Sequence, residues 1–208
     1  MKRRQWMTAA LVAVSAWSVP VVQAADEAPD ALVKRISSEV LEAIKADPAI
    51  QSGDTQRIVA LVDSKIMPSV NFTRMTSSAV GRFWRQATPE QQKALQDEFK
   101  TLLVRTYSGA LAEVRDQTLN FRPMRARPED KEVIVRSEVR GRGEPIQLDY
   151  RLEQTEQGWK IYDLNVLGVW LVETYRSQFA QEINAKGIDG LIQSLAQRNK
   201  AGSSSRAG

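Results

Sequence analysis

The chain has 208 residues, 29 basic and 25 acidic, with a formal charge of +4 and neither histidine nor cysteine. Those two absences exclude a Ser-His-Asp or Cys-His catalytic arrangement and a disulfide framework. They also remove the usual ligands of zinc, copper and haem sites, so no cofactor and no metal is called for.

Lys2, Arg3 and Arg4 open the chain, an apolar run follows from Thr8 to Val22, and Val22-Gln23-Ala24 places small residues at the −3 and −1 positions of a cleavage site. This pattern predicts a secretory signal peptide over residues 1–24. The run is shorter than the ~20 residues a spanning helix needs, and Pro20 interrupts it. With no cysteine after the site, a lipoprotein anchor is not available. Removing the segment takes away three of the 29 basic residues and none of the 25 acidic ones, so the charge falls from +4 to +1. The basic pI is therefore no nucleic-acid footprint, and no nucleic-acid partner is expected. Export without cysteine suits a Gram-negative periplasm.

The remaining chain reads as one domain, residues 25–199, followed by a small, polar tail, 200–208, expected to be disordered. Leu32, Ile36, Val40 and Ile44 recur every four residues and predict a helix over 31–46, which "ADP" closes. A second helix is expected over 55–67, with Ile58, Leu61, Val62 and Ile66 inward and Pro68 as its stop. The third, 71–85, carries Phe72, Met75, Ala79, Val80 and Phe83 on one stripe. Thr88-Pro89-Glu90-Gln91 combines a capping threonine, proline at the first helical position and glutamine three residues after the cap. The helix it starts continues through Leu95, Phe99, Leu102, Leu103, Thr106, Tyr107, Ala110, Leu111 and Val114.

The pattern then changes period. Strands are expected at 117–121, at 131–140 with Val133, Val135 and Val139 on one face, and at 146–154. In the last, Ile146, Leu148, Tyr150 and Leu152 alternate with Gln147, Asp149, Arg151 and Glu153. A further strand spans 159–166, with Tyr162, Leu164 and Val166 assigned to the apolar face and Trp159 and Ile161 elsewhere, Ile161 fitting an inward position equally well. Gly168 ends it, and helices follow over 169–185 and 188–197. Helices, then an antiparallel meander, then helices define an α+β fold, with the N-terminal and C-terminal helices packed on one face of a curved sheet.

Candidate chemistry is sparse. Asp149 and Asp163 lie on neighbouring strands and Tyr150 or Tyr162 could assist a general base, the basis of an isomerase- or dehydratase-like alternative. Alternation places Asp149 with Arg151 and Glu153, however, a row that reads as solvated. The basic stretches "GRG" (141–143) and "FRPMRARP" (121–128) read as an exposed hairpin and loop, with docking on anionic partners or lipid headgroups as the functional alternative. What remains is apolar surface beyond what a minimal core requires, read either as plain core or as the lining of a cavity for a long apolar ligand.

Three segments carry a resemblance. "G-x-x-W-R-x-A-T-P-E-Q" at 81–91, "F-x-x-L-L-x-R-T-Y" at 99–107 and "Y-R-S-Q-F…G-I-D-G-L-I" at 175–192 resemble the MlaC family of periplasmic phospholipid-binding, toluene-tolerance proteins, in the same order and over nearly all of the chain after residue 24. The resemblance implies a non-enzymatic carrier with acyl chains held in an apolar cavity between helices and sheet. It implies phospholipid as cargo, and an outer-membrane lipoprotein–porin complex and an inner-membrane ABC transporter complex as partners, in the upkeep of outer-membrane lipid asymmetry. The expected lining is Phe72, Met75, Phe83, Phe99, Leu103 and Tyr107 from the helices. From the sheet come Val135, Leu148, Tyr150, Leu152, Tyr162, Leu164 and Val166, with Val169 closing the corner. One departure is Trp170, where the family commonly has a small polar residue such as serine; it bears on the cavity's shape at that corner.

Overall fold

The computed structural model describes residues 27–204 except 125, 126, 128 and 142. The cleavage segment over residues 1–24 lies outside the described residues, as do 205–208. Helix α1 (Pro29–Ala46) buries Leu32, Val33, Ile36 and Ile44. Asp47 ends it in extended backbone (φ −116°, ψ 100°), as the following proline dictates, and its carboxylate caps a short α2 (Pro48–Gln51) that periodicity alone does not reveal. The second expected helix divides. An α-helical α3 (Thr55–Leu61), capped by Asp54, passes into a π-helical turn, Val62–Ile66, and a 3₁₀ turn, Met67–Ser69. The third expected helix also divides: α4 (Phe72–Val80) is capped by Asn71, and Gly81, at φ 65°, turns the chain into a 3₁₀ helix, Gly81–Gln86.

Helix α5 (Pro89–Ala112) starts on the expected capping box. Thr88 Oγ1 accepts from the Gln91 amide at 3.2 Å, and Gln91 Oε1 accepts from the Thr88 amide at 3.0 Å. Its buried face is Leu95, Phe99, Val104 and Ser108. Thr106 and Ala110, placed on the inward stripe by the sequence reading, are exposed. The helix contacts apolar groups on two sides, so one stripe does not describe it.

The sheet is antiparallel and open, with order β1-β2-β3-β4-β5. Its strands are β1 (Thr118–Phe121), β2 (Glu132–Arg140), β3 (Ile146–Thr155), β4 (Gly158–Val166) and β5 (Val169–Trp170). Residues 169 and 170, expected to open a helix, instead pair with β4, Val166 opposite Val169 and Asn165 opposite Trp170. Leu167-Gly168, both at positive φ, make the tight connection. Helix α6 (Leu171–Ser204) is interrupted at Gly187 (φ 74°, ψ −179°), where the sequence separates two helices. It runs to Ser204.

Among the described residues, three groups of buried apolar side chains form. The largest joins α4, α5 and α6 around Phe99. The second joins α1 to one face of the sheet. The third, around Ile44, Ile50, Ile58 and Val104, packs α1, α2 and α3 on the far part of α5. The first and second meet at half-buried Val70 and Leu164, the second and third at Val40 and Ile66.

Candidate functional site

The apolar face of the sheet follows from strand register. Val135 stands opposite Tyr150, Val133 opposite Leu152, Tyr150 opposite Leu164, and Leu148 opposite Val166. Val135, Tyr150 and Leu152 are buried beneath Leu32, Val33 and Ile36 of α1. Leu148 and Leu164 are half-buried at the edge of this group, and burial pushes the Tyr150 hydroxyl pKa up, keeping it neutral.

Tyr162 does not belong to this face. The β3–β4 register steps from Arg151–Asp163 to Leu152–Ile161, leaving Tyr162 as the extra residue of a β-bulge. A bulge reverses the alternation beyond it. Ile161, assigned elsewhere by strict alternation, therefore joins Leu152 in the apolar group. Tyr162 stands apart: its hydroxyl donates to Glu132 at 3.0 Å and the Arg74 guanidinium lies 3.7 Å from its ring centre. Arg74 also bonds Glu132 and Glu153, so α4 is tied to the polar side of β2 and β3. Val169 closes the corner only by pairing, since its side chain is 52% exposed.

The helical side is centred on Phe99. It is fully buried, with the rings of Phe72, Tyr175 and Phe179 centred 5.8, 4.9 and 5.2 Å away. Met75 is buried in the same group, whereas Phe72, Leu103 and Tyr107 are half-buried against it. Phe83 packs on this group's outer side and lines an external groove under the Arg82 guanidinium. The expected residues thus divide into buried anchors (Met75, Phe99, Val135, Tyr150, Leu152) and half-buried members (Phe72, Leu103, Tyr107, Leu148, Leu164, Val166), of which Leu164 packs against both the first and the second group. Val70 and the α1 residues Leu32, Val33 and Ile36 complete the surface. The sequence already gave the α1 stripe its inward face; periodicity does not say which element it covers.

The row containing Asp149 is solvated only at Gln147, with Arg151 and Glu153 half-buried. Asp149 is 5% and Asp163 1% exposed. Asp163 Oδ1 accepts from the amides of Leu164 at 2.9 Å and Val172 at 3.1 Å, and its Oδ2 accepts from Arg151 at 3.0 Å. Arg151 continues to Glu173 and stacks 3.8 Å from the Trp170 ring centre. Burial raises the Asp163 pKa, against the opposing pull of those amides and Arg151. With both oxygens engaged, Asp163 clamps the start of α6 to the sheet and is poorly placed as a general base. Register also places Trp170 on the Asn165–Asp163 side, away from Val166 and Leu148, so the departure at this position falls on the polar face. Among the described residues no group of acidic side chains is arranged to hold a metal ion, and no helix is long and apolar enough to cross a membrane.

These features define a small α+β protein in which a helical layer and an antiparallel sheet meet along half-buried apolar side chains, with buried Asp163 fastening the start of α6 to the sheet. Residues 34–197 match the family described as MlaC protein, and the chain belongs to that family. A curated relative, the toluene tolerance protein ttg2D of Pseudomonas putida, is 27% identical over 194 residues, covering 89% of this chain and 90% of that protein. The intermembrane phospholipid transport system binding protein MlaC of Haemophilus influenzae is 22% identical over 198 residues, covering 93% and 92%. Among solved structures, a phospholipid-binding protein from Ralstonia solanacearum in complex with a phospholipid is 50% identical. It superposes with a TM-score of 0.82 and covers 86% of this chain and 99% of that one.

Proposed function

We propose that the protein is a periplasmic phospholipid carrier, exported by cleavage after Ala24. It takes acyl chains between the apolar sheet face and the α4–α5–α6 group, and carries lipid between an outer-membrane lipoprotein–porin complex and an inner-membrane ABC transporter complex. The observation that carries this reading is the half-identical structural relative with a phospholipid bound. The division of the apolar interior supports it, because Leu148, Leu164, Leu103 and Tyr107 are left half-buried where a well-filled core would cover them. In this reading the buried anchors stand behind the lining and set its rigidity.

Each buried methylene contributes about 0.8 kcal/mol, so two chains of roughly 16 carbons gain on the order of 20 kcal/mol relative to water. A bilayer offers the same chains a similar surrounding, so net exchange is close to balanced and no covalent step is required. Asp163, the strongest candidate for an enzymatic base, has both oxygens engaged in structural bonds. The reading is tested by incubating delipidated protein with phosphatidylglycerol–phosphatidylethanolamine vesicles, separating the two, and assaying lipid phosphorus in the protein fraction. Phospholipid carried with the protein is expected; protein free of lipid after exchange defeats the proposal.

A further inference from the structure

A groove of about 640 Å³ lies on the outer side of the α4–α6 contact, away from the sheet face. Val80, Phe83 and Trp84 supply apolar surface, Ser77 and Ser78 lie along it, and Arg82, Arg85 and Arg176 bring three positive charges. Among the described residues no acidic one lines it. Among the described residues, none of the three arginines forms an ion pair, whereas Arg35, Arg74 and Arg151 each have carboxylate partners.

The local backbone builds this arrangement. Gly81, at φ 65°, permits the turn from α4 into the 3₁₀ helix Gly81–Gln86, a conformation side-chain-bearing residues adopt at a cost. Residues three apart eclipse in a 3₁₀ helix, so Arg82 and Arg85 stand on one side. Arg176 arrives from α6 and is fixed by donating from Nε to the Ser78 carbonyl at 2.8 Å, leaving its terminal nitrogens for another acceptor. The Arg82 guanidinium lies 4.8 Å from the centre of the Phe83 ring. Two of the sequence segments that carry the family resemblance, 81–91 and 175–192, meet here.

We infer that this groove is a docking site for an acidic segment of a partner protein, one that presents carboxylates to Arg82, Arg85 and Arg176 and an apolar side chain to Phe83 and Trp84. Planar guanidinium groups bind carboxylates in pairs of parallel bonds, and an aromatic floor beside arginine is the composition that anchors peptide segments. A membrane surface would meet the arginines but would not follow a concave floor between two helices, which favours a peptide as occupant.

The test uses the full chain and a fluorescein-labelled peptide with a leucine and a tryptophan between runs of glutamate, beside a counterpart with lysine for each glutamate. Anisotropy should report binding of the glutamate peptide, weaker with rising salt as screened charges require, and no binding of the lysine peptide. Arg82→Glu with Arg85→Glu should weaken it by about tenfold or more, the size expected for lost charge-assisted bonds. Ala180→Trp, which fills the groove without changing charge, should also weaken it while the thermal midpoint holds. Lipid recovered with the arginine variant should match wild type, which separates failure here from failure of the carrier reading. Equal binding of both peptides, indifference to both variants, or no peptide binding while phosphatidylglycerol vesicles capture the protein through Arg82 and Arg85 would each overturn the inference.

Discussion

The distinction between anchor and lining is most sharply tested by pairing Phe99→Ala with Leu103→Trp. Phe99 is fully buried and touches three aromatic rings. Truncating such a side chain costs about 3–5 kcal/mol, and aromatic contacts of this kind place it toward the upper end. In a domain of this size each kcal/mol lowers the melting midpoint by roughly 2–4 °C, so a loss of about 10 °C or more is expected. Leu103, four residues on and half-buried, is proposed to face acyl chain. In a filled core, adding bulk there would cost about 1–3 kcal/mol. Against a ligand space it should leave the delipidated midpoint nearly unchanged while reducing the lipid recovered per protein, and Leu148→Trp on the sheet should behave alike. The assay is circular dichroism melting of delipidated protein, with lipid phosphorus measured on the same preparations before delipidation. Should Leu103→Trp and Leu148→Trp both destabilise the delipidated fold while lipid content holds, the two residues are plain core and the placement of the lining fails.

Three further outcomes follow from the geometry. Asp163→Ala removes a buried partner of Arg151 and the Oδ1 acceptor of two backbone amides, and should cost about 3 kcal/mol in urea titration, whereas Asp163→Asn keeps an acceptor for Leu164 and Val172 and should cost less. Because burial raises the folded-state pKa of Asp163, its contribution is greatest below the unfolded-state pKa and declines as pH rises through the folded one; wild type should therefore gain on Asp163→Asn as pH falls through that range, and a gap that widens in the opposite sense would show instead that the amide and Arg151 bonds outweigh burial. Leu167 sits at φ 54° with its side chain 64% exposed, so Leu167→Asn should be neutral or raise stability by up to about 1 kcal/mol, measured by thermal melting. Thr88→Ala removes the cap of α5 and should cost about 1 kcal/mol in the same experiment.

Much of the fold is legible in residue order because punctuation is local. The proline after Asp47, the Thr88–Gln91 box and Gly187 each fix the backbone within a turn, and each acts where the sequence places it. The elements that escaped depend on distant neighbours. Tyr162 was assigned to the apolar face by counting twos, but the bulge that turns it toward Glu132 is set by pairing with β3. Residues 169 and 170 are apolar enough for a helix, and only the adjacent end of β4 makes them a strand. Alternation likewise separates Asp149 and Asp163 from Leu148 and Leu152 without saying that the polar side is also covered, which requires knowing where α6 begins. Phe83 shares the helical stripe of Phe72 and Met75 until Gly81 turns the chain, and its exposed edge then faces Arg82.

The central claim is that the protein carries phospholipid. Native mass spectrometry of the protein purified from the periplasm, without detergent, tests it most directly. The account predicts a species heavier than the polypeptide by the mass of a diacyl phospholipid, lost on solvent extraction and identified in the extract. A single species at the polypeptide mass, unchanged by extraction, would contradict it.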